Sequence, residues 1–173
     1  MTLALIFASA LIFMVVVADR QDSDPIVGMA RVVDGDSLEV AGKKIRIVGI
    51  DAPELDQACN NQGQVWSCGQ ESKTALRTLI GSNLVHCSNQ GKDKYRRTLS
   101  VCEVAGKDVG KWMVTNGWAV SYGDYKFDEA IARRNRLGMW QGEFELPKSW
   151  RNKSELDASF QNPVSWLVEK LGF

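Results

Sequence analysis

Histidine is almost missing from this sequence: His86 is the one copy in 173 residues. Chemistry that shuttles a proton between two imidazoles, or holds a metal on several of them, is thereby excluded, and His86, inside a strand-like run, reads as structural. The Cys-x2-Cys spacing favoured by thiolate zinc sites is missing too. Neither sign of charge is in excess, since 21 Lys and Arg balance 21 Asp and Glu. The chain as a whole therefore offers no attractive field to a polyanion, and any such attraction must come from local clusters. Two basic clusters exist, Lys92 to Arg97 and Arg133 to Arg136, the second reading equally well as a solvated helix face. No internal repeat is visible. The length and 45% apolar content suit one domain with a true core, not two.

What is present begins with an apolar run from Leu3 to Ala18, ending in Val16-Val17-Ala18 before Asp19. Residues 1–18 read as an export signal or, if retained, a membrane anchor, although no Lys or Arg precedes the run. Residues 19–28 form a linker, 29–142 a single domain and 143–173 a tail whose end, Trp166 to Phe173, has amphipathic character. Four cysteines in an exported chain imply disulfides. Three pairings are open; Cys59 and Cys68 bracket a polar loop, and Cys87 and Cys102 lie in neighbouring strand-like runs, which favours 59 with 68 and 87 with 102.

Met29 to Val33 is apolar and β-branched, Asp34-Gly35 signals a turn, Ser37 to Val40 resumes a strand, and Ala41-Gly42 turns the chain into Lys44 to Ile50. Three antiparallel strands follow. Ser67 and Gln70 suggest a capping box for a helix carrying Ala75, Leu76, Leu79 and Ile80 and stopping at Gly81. Leu84 to Ser88 and Leu99 to Val104 read as two further strands. Asp108 should cap a short helix, and a last helix runs through Phe127, Ile131, Arg134 and Leu137 to Gly138. No strand–helix–strand alternation runs through the first three strands. The expectation is an α+β, mainly β fold: a five-stranded barrel of the oligonucleotide-binding (OB) type with about three helices.

Chemistry gathers at two turns. Asp34-Gly35-Asp36-Ser37 places carboxylates at a tight turn, which alone usually means only a turn. Arg46 sits in an apolar strand whose exit carries Asp51-Ala52-Pro53-Glu54. A guanidinium there is costly unless it is paired or used, and Asp51 and Glu54 are the expected neighbours.

Val33-Asp34-Gly35-Asp36-Ser37, Arg46 through Asp51-Ala52-Pro53-Glu54, Asp93-Lys94-Tyr95-Arg96-Arg97 and Leu137-Gly138-Met139-Trp140 resemble, in order and spacing, the signatures of the staphylococcal nuclease family. The resemblance covers about residues 29 to 140. It implies a calcium-dependent endonuclease that cleaves DNA and RNA to 3′-phosphate products, acting on single or unpaired strands as a monomer. By the same resemblance Asp36, Asp51 and the carbonyl of Ala52 would hold Ca2+, Glu54 would activate water, and Arg46 and Arg97 would clamp the scissile phosphate. Lys94 and Tyr95 would bind the substrate's terminal phosphate and base, with Tyr122 or Tyr125 as a second aromatic wall. Arg96 departs from the glycine common before the late arginine, and the loop from Leu55 to Cys68 is unlike that of the type enzyme. The competing expectation is a catalytically inactive OB-fold module that only binds nucleic acid.

Overall fold

The computed structural model describes residues 24–161, and the side chains of 158–161 are left aside; the apolar N-terminal run and the end of the tail lie outside the described residues. The strands are β1 (Ile26–Gly28), β2 (Ala30–Val32), β3 (Ser37–Val40), β4 (Lys43–Ile47), β5 (Ile50–Asp51), β6 (Cys59–Asn61), β7 (Gln64–Trp66), β8 (Val85–Lys92), β9 (Thr98–Val104), β10 (Lys107–Asp108) and β11 (Val120–Ser121). The helices are α1 (Cys68–Ile80), α2 (Val109–Thr115), α3 (Lys126–Arg134) and α4 (Pro147–Gln161), with a 3-10 turn at Gly138–Gln141.

The main sheet runs in the order β1-β8-β9-β4-β3-β2, with β10 paired to β9. Its two ends, β1 and β2, are consecutive stretches of chain parted by Met29 alone, so the sheet curls back on itself. Counting β1 and β2 as one interrupted strand recovers the expected five-stranded, OB-like barrel. All its pairings are antiparallel except β4 with β9, where Arg46 lies against Leu99.

Two-residue alternation decides what faces inward. In β9 Thr98, Ser100, Cys102 and Val104 are buried, and in β4 Ile45 and Ile47 are buried while Arg46 points to the opposite side. The core joins Leu38, Val40, Ile45, Ile47 and Ile50 of the barrel to Leu76 and Ile80 of α1 and Val109 and Met113 of α2. Truncating one such residue to alanine costs about 2–5 kcal/mol. Cys87 is bonded to Cys102 directly across the β8–β9 ladder. Cys59 is bonded to Cys68, closing the β6–β7 hairpin onto the start of α1.

Three local expectations need correction. Ser67 precedes α1 but makes no side-chain cap, because Gln70 is drawn off to the carbonyl of Leu55, so there is no capping box. α3 ends at Arg134, not near Gly138, since Arg136 takes a positive φ of 52° that no helix continues through. The tail supplies a fourth helix, α4. Asp108 does cap α2, accepting from the amide of Lys111 at 2.8 Å.

Candidate active site

The turn between β2 and β3 is held by its own chain. Val33 N–H donates to the carbonyl of Ser37 at 2.9 Å, and Asp34 Oδ1 accepts from the amide of Asp36 at 3.0 Å. Gly35 is required by proximity: a Cβ there would stand 2.2 Å from Ser72 Oγ of α1 and 2.6 Å from the Cβ of Ala52. The turn is thus pressed between helix and strand exit, which buries Asp36 to 2% exposure.

The Asp36 carboxylate joins the two sequence clusters. Its Oδ2 accepts from the amide of Ala52 at 2.8 Å, and its Oδ1 accepts from Arg46 Nη1. Arg46 Nη2 donates in turn to Asp51 Oδ1 at 2.9 Å. One half-buried guanidinium therefore draws Asp36 and Asp51 together, whereas Glu54, expected beside it, is paired with a different arginine. Burial, with the nearby Asp34 charge adding to it, pushes Asp36 up to about 8 against the pull of Arg46. Arg46 is held above its ordinary value, because Asp36 and Asp51 outweigh the opposing effect of burial.

Asp51 lies on β5, fixed by antiparallel pairing with Val120 of β11, and three residues later Glu54 stands half-exposed. The Glu54 backbone is positioned by Gln57, a fully buried glutamine. Its Oε1 accepts from the amide of Glu54 at 3.2 Å, and its Nε2 donates to the carbonyl of Glu145 at 2.6 Å. Gly69, at the start of α1, packs so closely that a Cβ would fall 1.7 Å from the Glu54 carbonyl.

Arg97 reaches the cleft from the β8–β9 loop, where Asp93 holds it through both Nε, at 2.7 Å, and its amide, at 2.9 Å. Burial, the largest single influence, would raise Asp93, but the bonds from Arg97 and the Tyr95 amide together outweigh it and lower Asp93 below its ordinary value. Lys94 Nζ lies 4.8 Å from the centre of the Tyr95 ring, and Tyr95 is 63% exposed. The two later tyrosines part company. Tyr122 lines the cleft beside Arg46 and Arg97. Tyr125 points elsewhere, its hydroxyl donating to Asp108 at 3.0 Å and its ring resting against Gly49 and Gly110. Arg96, in a left-handed conformation (φ 63°), turns away to a basic groove with Lys43, Lys44 and Lys92.

One residue that the sequence reading missed dominates the cleft. Arg151 of α4 donates from Nη1 to Asp51 Oδ1 at 3.0 Å, from Nη2 to Asp51 Oδ2 at 3.0 Å, and from Nη1 to Glu54 Oε1 at 2.6 Å. Burial works the other way, yet the Asp51 and Glu54 carboxylates raise it above an arginine's ordinary value. Lys148 and Arg151 line two cavities. One, of about 610 Å³, holds Arg46, Asp51, Arg97 and Tyr122; the other, of about 600 Å³, holds Glu54, Lys94, Tyr95 and Arg97. Neither Arg151 nor Gln57 carries a pattern signal: one is a basic residue in a polar tail, the other an amide in a polar loop.

Among the described residues no group of three or more His, Cys, Asp or Glu forms a metal cage. Asp36 and Asp51 nonetheless converge on the same guanidinium, and two carboxylates suit a hard cation that completes its shell with carbonyl, water and phosphate oxygens. The residues present therefore fit a calcium ion as two anchoring carboxylates, with Ala52 beside them.

A small OB-like barrel with carboxylates and arginines gathered at one cleft defines the class. Residues 44–142 match the family model described as staphylococcal nuclease homologue, and the chain belongs to that family. It is 36% identical over 135 residues to the succinoglycan biosynthesis protein ExoI of Rhizobium meliloti (strain 1021), a match covering 73% of this chain and 71% of the relative. It is 30% identical over 144 residues to an uncharacterized endonuclease of Haemophilus influenzae, covering 76% of each. An uncharacterized endonuclease of Escherichia coli O157:H7 is 30% identical over 137 residues, covering 72% of this chain and 84% of the relative.

Proposed function

We propose that this chain is a calcium-dependent endonuclease that hydrolyses phosphodiester bonds in single-stranded or unpaired DNA and RNA. The observation that carries the reading is the convergence of Asp36, Arg46, Asp51, Glu54 and Arg97 on one cleft, from four separate stretches of chain. Family membership and the relatives named endonuclease support it. Calcium held by Asp36, Asp51 and the Ala52 carbonyl would supply Lewis-acid polarisation of the phosphate. Glu54 takes a proton from water, and the water oxygen bonds to phosphorus while the bond to the 5′ oxygen breaks. That oxygen leaves with a proton taken from solvent, Glu54 returns its own proton to solvent, and the 3′ side keeps the phosphate. Arg46 and Arg97, whose planar forks match phosphate oxygens, meet the charge that builds on the equatorial oxygens. Lys94, Tyr95 and Tyr122 hold the neighbouring phosphate and bases, and stacking of that kind tolerates any sequence.

Two disulfides support an oxidising compartment, reached by export or by anchoring through residues 1–18. Among the described residues no helix is long and apolar enough to cross a membrane.

The test is digestion of single-stranded DNA and RNA with calcium and with a chelator, beside Glu54→Gln. Calcium-dependent cleavage should fall about 100-fold or more in the variant. The second reading, an inactive binding module, is favoured by one observation, the engagement of Glu54 by Arg151. Binding without cleavage in calcium would establish it.

A further inference from the structure

Helix α4 is rooted and tipped in different ways. Its root is fastened to the disulfide-closed loop: Asn60 and Glu143 exchange two backbone bonds, of 2.9 and 2.7 Å, and the Glu145 carbonyl accepts from Gln57. Leu146-Pro147 then turns the chain into the helix, whose residues from Asn152 to Asp157 are exposed. Between root and exposed end, Arg151 alone among the described α4 residues forms ion pairs with the cleft carboxylates. The indole N–H of Trp150 is buried with no partner among the described residues, so the seat of the helix is imperfect, and lifting it returns that donor to water.

The Arg151 guanidinium takes both oxygens of Asp51 and one of Glu54. A cation anchored on Asp36 and Asp51 needs an Asp51 oxygen, and both are taken: Oδ1 accepts from Arg46 and Arg151 and Oδ2 accepts from Arg151, so a cation there competes with the Arg151 guanidinium for Asp51. Asp51 has a side-chain exposure of 9%, so water screens the conflict little, whereas Arg151 at 36% stands near solvent and has somewhere to go.

We propose that Arg151 is a latch: α4 closes over the cleft by giving Asp51 and Glu54 a guanidinium, and a divalent cation opens it by displacing Arg151. The inference rests on the proposed function only in placing the cation at Asp36 and Asp51. Closed, the latch occupies oxygens of Asp51, which lines one cavity, and of Glu54, which lines the other; open, it frees Glu54 for water. Arg151 acts through the carboxylates, so it is a positioning residue for the cleft and not a catalytic one.

The test is calcium titration by calorimetry of the full chain and its Arg151→Gln variant, without nucleic acid, together with hydrogen exchange of the α4 amides. The variant should bind calcium about tenfold more tightly, as expected when a few part-exposed charged bonds no longer compete. In the unaltered protein, calcium should speed exchange at Trp150 and the amides after it, while in the variant those amides should exchange fast with or without calcium. Arg151→Lys, with the charge but not the fork, should fall between. Equal or weaker calcium binding by Arg151→Gln, with an unchanged melting temperature, overturns the latch while leaving the calcium site standing. Failure of both proteins to bind calcium overturns the latch and the calcium reading together.

Discussion

The two carboxylate sides of the cleft are held by opposite means. On one side Asp36 is sealed in the barrel: its oxygens are bonded to a backbone amide and to an arginine of the neighbouring strand, and the turn that carries it has no room even for a methyl group at Gly35. On the other side Glu54 is half-exposed, and its carboxylate meets an arginine from a helix nearly a hundred residues away. The first side is part of the fold; the second is laid over it. Substitutions should therefore act on stability at the Asp36 side and on function at the Glu54 side.

The sharpest way to break this contrast is to compare Arg46→Ala with Glu54→Gln by thermal and denaturant unfolding. Arg46 bonds two buried carboxyl groups, and removing it, which leaves both without that partner, should destabilise the domain by about 3–5 kcal/mol. Glu54→Gln should stay within about 0.5 kcal/mol, as surface substitutions do. Equal losses would mean that both sides belong to the fold.

The disulfides sharpen the same division. Reducing the Cys87–Cys102 bond, which joins core strands, and the Cys59–Cys68 bond, which closes the loop under α4, should each cost about 2–4 kcal/mol. Substituting Cys59 and Cys68 should in addition loosen the root of α4, seen as faster exchange at Glu143. Thiol titration of the unreduced, denatured protein should find no free thiol, and four free thiols would refute both bonds.

A separate effect concerns pH. The unfolded chain releases the Asp36 proton near its ordinary 3.8, whereas the folded chain keeps it to about 8. Between these values the folded state binds the extra proton, so Asp36 makes stability fall as pH rises, by at most about 1.4 kcal/mol per pH unit. Below the window both states are protonated and the contribution is flat; above it the loss is complete. Asp36→Asn should remove this downward slope in urea melts between pH 4.5 and 8, and an unchanged slope would show that Asp36 is ionised throughout.

The same contrast explains how much could be read from sequence. Asp36, Arg46, Asp51 and Glu54 were legible because their placement follows from local rules: a tight turn, a charged residue inside an apolar strand, and a proline at the strand exit. The first three strands and the Asp108 cap are local in the same sense. Arg151 was not legible, since what makes it matter is a contact across 97 residues of sequence that no periodicity encodes. Tyr125 and Tyr122 could not be told apart because the irregular chain between β11 and α3 decides which ring faces the cleft. Ser67 and Gln70 had the right spacing for a cap, but the Leu55 carbonyl was a nearer partner.

Met29 has a consequence of another kind. By splitting one stretch of chain into β1 and β2, it lets that stretch pair with β8 at one end and β3 at the other. Each of these two end strands is three residues long, short of the six or seven that stack into amyloid-like zippers. A strand-rich protein of this shape offers little for another copy to add to, and should withstand crowding and repeated unfolding without forming fibrils.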